Sequence, residues 1–265
     1  MNNSKNIIVF CPNPYSLYTN SVCELLINKG YKIDCIVVRK FTLNRFFQEF
    51  SRDGIRLIRK IWTKLVLKEK GYAENADNIV NLRLNENLKI KNIKEFEKQG
   101  TKIITCHTLN DQIVLDTLNQ YANKIVVFTG GGIIRKPILD AAGDGIINCH
   151  MGILPKYKGM DLPEWCVLEN QIDQLGFTLH FMDTGIDTGN ILKIENVSLN
   201  NYQDIKQLRS NFEPKMTKAM VDVVDQWIQG SIKSQMQDAK LTRQYFIVHP
   251  ELYKKINLKL LNKQT

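Results

Sequence analysis

The chain is predicted to be α/β, with a doubly wound, mainly parallel sheet, helices on both faces and a short C-terminal extension. Three observations carry this. Short apolar runs with strand character recur at residues 6–10, 33–38, 102–106, 125–129 and 145–147. Segments with helical periodicity stand between them, and strand and helix in alternation build parallel βαβ units. Glycines fall where those helices should stop, at Gly30 and Gly100, because glycine closes a helix in a left-handed conformation at no steric cost. The first half is thus Rossmann-like.

Taken in order, residues 6–10 end in Cys11-Pro12-Asn13-Pro14, a turn signal, before a helix expected over about 16–29. The second strand covers 33–38. Residues 40–70 read as helical and basic, and 71–85 as a polar loop. A helix over 92–99 precedes the strand 102–106, a helix near 112–121 precedes the strand 125–129, and a helix over 136–142 leads to the run Gly145-Ile146-Ile147. Residues 153–159 look turn-like. From about 201 a helix runs through Trp227 to a stop at Gly230, and the tail carries Tyr245-Phe246, an aromatic pair expected to pack on the main domain or stack on a ligand.

Composition narrows the class. With 265 residues, 43% of them hydrophobic, the chain can bury one good-sized core or a main domain plus a small appendage. It contains no run of about 18 apolar residues, the length a membrane-spanning helix needs. Met1-Asn2-Asn3-Ser4-Lys5 leads into a strand without the apolar stretch of a signal peptide, so a cytoplasmic location is expected. Six cysteines, at 11, 23, 35, 106, 149 and 166, show no CxxC spacing; they suit reduced, buried thiols, with neither a disulfide framework nor a metal site.

The formal charge of +9 is compatible with nucleic acid, anionic lipid or a phosphorylated small molecule. Arg45, Arg52, Arg56, Arg59, Lys60, Lys64 and Lys68 alternate with Ile58, Ile61, Trp62 and Leu65, which describes an amphipathic helix with a solvated face. Peripheral membrane contact or binding of an anionic substrate is the competing reading.

Chemistry concentrates downstream. Gly130-Gly131-Gly132 follows a strand, where glycine permits close backbone approach of a ligand and where open α/β sheets bind ligands. No GxGxxG fingerprint accompanies it, and a tight turn is the plain alternative. Asn148 and His150 stand two apart in an extended segment, so both face the same way while Cys149 faces away. A lone histidine after a strand is commonly a hydrogen-bonded structural residue, and Asp187 in Asp183-Thr184-Gly185-Ile186-Asp187-Thr188-Gly189 can be a turn residue. In combination they put an amide, an imidazole and a carboxylate within reach of one reacting atom.

The runs GGGIIRKPILD, GIINCHMGILPKYKGMDLPEW and GFTLHFMDTGIDTGNIL, in this order between about 125 and 197, resemble the folate-dependent formyltransferases: the glycinamide ribonucleotide, methionyl-tRNA and sugar N-formyltransferases. The resemblance implies the formyltransferase fold, with a catalytic domain over 1–200 that carries a basic helical insertion at about 40–85, and a C-terminal helix and tail, 201–265, packed on it. It implies a catalytic triad of Asn148, His150 and Asp187. The co-substrate implied is N10-formyltetrahydrofolate, with no metal. Its pterin would lie on backbone at Gly131, Gly132, Ile133 and Ile134 and on the loop from Asp183 to Asp187, and Gly152, Ile153, Leu154 and Pro155 would border the formyl group. Gly152 stands where the family usually has serine.

Transfer of a formyl group to an amine develops negative charge on the formyl oxygen and releases a proton. Asn148 can donate through its amide, and His150 if protonated. Asp187 is expected to favour the imidazolium and raise the His150 pKa. For the acceptor, residues 231–265 are too few for the further β-rich domain of a methionyl-tRNA enzyme, so no nucleic acid partner is expected. Cys11-Pro12-Asn13-Pro14 differs from the Gly-Ser-Gly loop of glycinamide ribonucleotide enzymes. The expected acceptor is therefore the amine of a nucleotide-sugar destined for a surface glycan such as lipopolysaccharide. A formyltetrahydrofolate deformylase, a glycinamide ribonucleotide-type enzyme and a non-catalytic scaffold on the same fold stand as alternatives, and a homodimer stays open.

Overall fold

A computed structural model of the chain describes residues 5–40, 78–198, 202 and 204–262. The basic segment 40–70 lies, past Lys40, outside the described residues, and with it the amphipathic helix and its membrane reading. Among the described residues no helix is long and apolar enough to cross a membrane.

The described strands are β1 (Asn6–Cys11), β2 (Ile33–Arg39), β3 (Lys102–Cys106), β4 (Lys124–Phe128), β5 (Ile146–His150), β6 (Tyr157–Gly159), β7 (Gly176–Phe181), β8 (Ile191–Asn196) and β9 (Arg243–Tyr245). The described helices are α1 (Leu17–Asn28), α2 (Ile79–Asn85), α3 (Gln112–Asn119), α4 (Lys136–Asp140), α5 (Leu162–Leu168), α6 (Ile205–Ile228) and α7 (Leu252–Asn262). Seven strands form one sheet in the order β3-β2-β1-β4-β5-β7-β8, and β6 pairs with β9 apart from it. The first five strands of that order are parallel, as the alternation predicts; β7 and β8 join antiparallel. The order reverses between β1 and β4, so their carboxyl ends open the crevice where such sheets take ligands.

Period-two alternation divides the core. Ile7, Val9, Ile125, Val127 and Ile147 face one side, under Phe212, Met220 and Val224 of α6; Ile8, Phe10, Val126 and Ile146 face the other, with Val114 and Leu118 of α3 and Ile138 of α4. Fully burying an aliphatic or phenyl side chain of this size contributes about 1.5–3 kcal/mol. Cys149 packs on the α6 side, which leaves Asn148 and His150 on the opposite face.

Three local expectations change. Within the expected loop 71–85, residues Ile79–Asn85 form α2: the Asn78 side chain caps it by accepting from Val80 N and Asn81 N, and Arg83 is buried against Ser21 and Glu24. The segment Ile93–Gln99 is a 3₁₀ helix with a capping box at Asn92 and a left-handed Gly100 behind it. Asn148 and His150 belong to β5 itself, and the turn-like run 153–159 ends in β6.

Candidate functional site

At the carboxyl end of β4 the chain turns through Gly130, Gly131 and Gly132, with φ of 128°, 138° and 104°, conformations that side chains disfavour. A Cβ on Gly131 would lie 2.4 Å from Leu109 Cδ1. Arg39 Nη1 donates to Gly131 O at 3.1 Å and Asn110 Nδ2 to Ile133 O at 2.8 Å, so the turn is braced from the end of β2 and from a neighbouring loop. Ile133 projects outward, 79% exposed, while Ile134 is buried. A braced glycine turn with an exposed aliphatic beside it suits the edge and face of a flat heterocycle.

One strand away, Asn148 stands opposite His180 of β7, and His150 opposite Thr178. Asn148 Nδ2 lies 3.1 Å from His180 Nε2, and His180 Nδ1 lies 2.8 Å from Phe181 O. A carbonyl can only accept, so His180 carries its proton on Nδ1 and receives the Asn148 amide on Nε2. Burial first, then the neighbouring His150, push His180 down to about 4, which keeps it neutral and an acceptor. One Asn148 N–H is thereby fixed and a second remains to donate.

His150 Nε2 lies 3.0 Å from Tyr157 O, and its Nδ1 lies 3.5 Å from Asp187 Oδ1. The second distance exceeds that of a good hydrogen bond, so the contact is one of charge. The same carboxylate oxygen stands 3.9 Å from His180 Nε2, and Asp187 Oδ2 accepts from Gly159 N at 3.0 Å. The structure brings Asn148, His150 and Asp187 into one cluster, with His180 at its centre.

The charge state of His150 differs from the expectation. Burial holds its imidazole below the ordinary value, although the Asp187 carboxylate and the Tyr157 carbonyl both favour the charged ring. The sequence places Asp187 beside His150 but does not show that the ring is only 8% exposed, and taking a charge out of water here outweighs one nearby carboxylate. With Nε2–H bound to Tyr157, the resting ring presents Nδ1 as a base.

The remaining expected residues divide. Asp183 is exposed and closes its own loop, accepting from Gly185 N at 3.0 Å and Thr188 Oγ1 at 2.5 Å. Leu154 is 1% exposed and precedes a cis bond to Pro155. A Cβ on Gly176 would meet Ile153 Cδ1 at 3.0 Å, so Ile153 lies against β7. Gly152 is crowded by space and not by conformation: a Cβ there would fall 2.2 Å from Leu162 Cδ1, 2.9 Å from Tyr157 O and 3.1 Å from His150 Nε2. Of the tail pair, Tyr245 is buried and Phe246 is 70% exposed.

His180 is the functional residue that the sequence reading passes over. Its signal is present: in Gly176-Phe177-Thr178-Leu179-His180-Phe181 the polar residues alternate with apolar ones, which puts Thr178 and His180 on one face of a strand.

The formyl transferase family matches residues 71–224, more than half of the chain and every residue of the cluster. The chain belongs to the formyl transferase family. Among its relatives, the methionyl-tRNA formyltransferase of Desulfotalea psychrophila is 32% identical over 143 residues, which are 54% of this chain and 44% of that protein. The chain therefore spans less than half the length of that relative. Two solved formyltransferases share the fold. The N-formyltransferase from Helicobacter canadensis, solved with folinic acid and dTDP-3-aminofucose, superposes with a TM-score of 0.59 at 16% identity over 91% of this chain and 71% of its own. Glycinamide ribonucleotide transformylase 1 from Symbiobacterium toebii superposes with a TM-score of 0.58 at 13% identity over 89% of this chain and 96% of its own. The family's match ends at 224, so Gln237, which donates to Asp187 O, and β9, which pairs with β6, lie beyond it.

Proposed function

We propose that this chain transfers a formyl group from N10-formyltetrahydrofolate to a primary amine, and that the amine belongs to a nucleotide-linked amino sugar made for a surface glycan. The observation that carries the reaction is the buried cluster: a neutral His150 with a base at Nδ1, Asp187 at 3.5 Å from it, and Asn148 held by His180 at 3.1 Å. When bound, the folate supplies the formyl carbon in activated form. The fit is favourable at the glycine turn, where Gly131, Gly132, Ile133 and Ile134 would hold the pterin together with the loop 183–187, beside Gly152–Pro155. Asn148 directs its second N–H at the negative charge that develops on the formyl oxygen. His150 Nδ1 takes the amine proton as the new C–N bond forms, while Nε2–H stays on Tyr157 O and Asp187 balances the imidazolium; the same proton is then given to the folate nitrogen N10 as its bond to the formyl carbon breaks.

The acceptor reading leans on the Helicobacter canadensis enzyme, whose structure holds a nucleotide-linked amino sugar and whose fold runs along 91% of this chain. A second reading, methionyl-tRNA as acceptor, is favoured by the name of the relative at 32% identity and by the charge of +9, which suits a phosphate backbone. Incubation with N10-formyltetrahydrofolate alone, then with a dTDP- or UDP-linked amino sugar, glycinamide ribonucleotide or methionyl-tRNA, separates them by product. A formylated sugar is expected. Formate released without any amine identifies a deformylase, and no folate turnover under any condition overturns the enzymatic reading in favour of a scaffold.

A further inference from the structure

Strand β6 serves different partners with its two edges. Alternate residues of a strand direct their N–H and C=O groups to opposite sides. On one edge Lys156 O accepts from Arg243 N at 3.3 Å and Met160 N donates to Tyr245 O at 3.2 Å. On the other, Tyr157 O accepts from His150 Nε2 at 3.0 Å and Gly159 N donates to Asp187 Oδ2 at 3.0 Å. A three-residue strand is thus all that separates β9 from the histidine and the aspartate, and it holds both.

We propose that segment 237–245 is a positioning element for the reaction: Tyr245, clamped by Glu169, fixes β6 and through it His150 and Asp187, while Gln237 fixes the Asp187 loop. This rests on the function proposed above. The Tyr245 ring stacks on Tyr157 with centroids 5.0 Å apart and planes 11° apart. Both phenols donate to Glu169 Oε2, at 2.8 Å from Tyr245 and 3.0 Å from Tyr157, and Arg243 Nη1 donates to Oε1 at 2.8 Å. Gly159 has φ of 101°, and a Cβ there would fall 2.1 Å from Tyr245 O, so only glycine lets β9 approach this closely. Gln237 Nε2 donates to Asp187 O at 3.1 Å and to Gly189 O at 2.6 Å, securing a residue that is itself left-handed at φ 54°. His150 is faced by Asp187, His180 and the Tyr157 carbonyl, and two of these three contacts come from groups that β6 holds or provides.

The test compares Tyr245→Ala, Tyr245→Phe and Gln237→Leu in the full chain by melting temperature, steady-state kinetics and NMR titration of the His150 ring, assigned by signal loss in His150→Gln. In Tyr245→Ala, kcat is expected to fall about 10–100-fold with KM within about threefold, since small misplacements of reacting groups cost rate more than binding. Its His150 midpoint should move upward toward the ordinary value as water reaches the ring. Tyr245→Phe keeps the stack and should recover most of the rate. A folded Tyr245→Ala with unchanged kcat and unchanged His150 midpoint overturns the proposal, since a purely structural tail would lower the melting temperature alone. Should Tyr245→Ala fail to fold, Gln237→Leu decides: a rate loss of about fivefold or more at unchanged melting temperature supports the proposal, and wild-type kinetics overturns it. If no amine is formylated by the wild type, the functional reading fails separately, and the His150 titration still decides the positioning role.

Discussion

Substituting serine at Gly152 tests the geometry of the cluster most directly, because the resemblance to formyltransferases leads one to expect serine there. The built Cβ would lie 2.9 Å from Tyr157 O and 3.1 Å from His150 Nε2, at the apex of a nearly equilateral triangle on the 3.0 Å bond that joins those two atoms. Leu162 Cδ1, at 2.2 Å, is a side-chain tip that can turn away; Tyr157 O is backbone held by β9 and cannot do so freely. To reach ordinary van der Waals separation the carbonyl must retreat by about 0.5 Å; because the three atoms form a nearly equilateral triangle, the His150 bond, 3.0 Å long at present, then stretches to about 3.3 Å, just past the usual range. Overpacking at such a site costs about 1–3 kcal/mol, and weakening a buried hydrogen bond costs up to about 1 kcal/mol more. Gly152→Ser is therefore expected to lose about 1–4 kcal/mol in urea unfolding and about tenfold in kcat, with KM little changed. Gly152→Ala should behave alike, since the clash is at Cβ. A Gly152→Ser variant with wild-type stability and rate would refute the account and would mean that β6 yields without consequence for His150.

Three further substitutions address the charges. Asp187→Asn should lower kcat about 10²–10³-fold; because the carboxylate favours the His150 imidazolium, its loss should also carry the acidic limb of the rate profile to lower pH, and an unmoved limb would exclude the charge contact. His180→Leu should reduce kcat about tenfold by releasing the Asn148 amide, and unchanged kinetics would count against that anchoring role. His180 also makes the fold acid-sensitive. Above its ordinary value of 6.5 neither folded nor unfolded ring is charged; below it the unfolded ring takes a proton that the folded ring refuses until about 4, so stability falls through that window by up to about 3 kcal/mol. The leucine variant should lose this slope in urea titrations at pH 7 and 4.5. Arg83→Met should cost about 3–5 kcal/mol in thermal or urea unfolding, because it takes the cation from the half-buried Glu24 and the donor from the Leu88 and Ile90 carbonyls; a loss under 1 kcal/mol would show that α2 is not anchored by this arginine.

What the sequence makes legible follows from what each feature depends on. Strands such as Ile33–Arg39 announce themselves through apolar runs, here Cys35–Val38, because both their faces are covered. Helix α2 does not, because its seven residues are too few for a periodic signal and its strongest determinants are one cap and one arginine whose partners lie 59–62 residues away. The pairing of β6 with β9 is hidden for the same reason: three residues at each side, joined across the fold, leave no local pattern. That Asn148 and His150 share a face is readable from their spacing, since a strand fixes which of its residues point the same way. Their partner His180 becomes visible only once β7 is known to run antiparallel beside β5 in this register. The direction of the His150 shift was beyond reach because it depends on burial, and burial belongs to the assembled layers.

That direction bears on how the proposed reaction would proceed. At rest the cluster holds one carboxylate and two neutral imidazoles, with His180 kept neutral by burial and by His150. A His150 protonated at neutral pH would have no lone pair to receive the amine proton, and burial, which lowers its pKa, keeps the lone pair available. The same burial makes the imidazolium costly, and Asp187 at 3.5 Å offsets that cost only in part. The balance shifts once negative charge develops on the formyl oxygen within reach of Asn148: the imidazolium then has two negative neighbours in a poorly solvated site, where such attractions are strong. Proton pickup by His150 is thus favoured while the bond to the amine forms and disfavoured before it. A fixed Asn148, a neutral His180 and an immobile Asp187 are the conditions that keep those two events together.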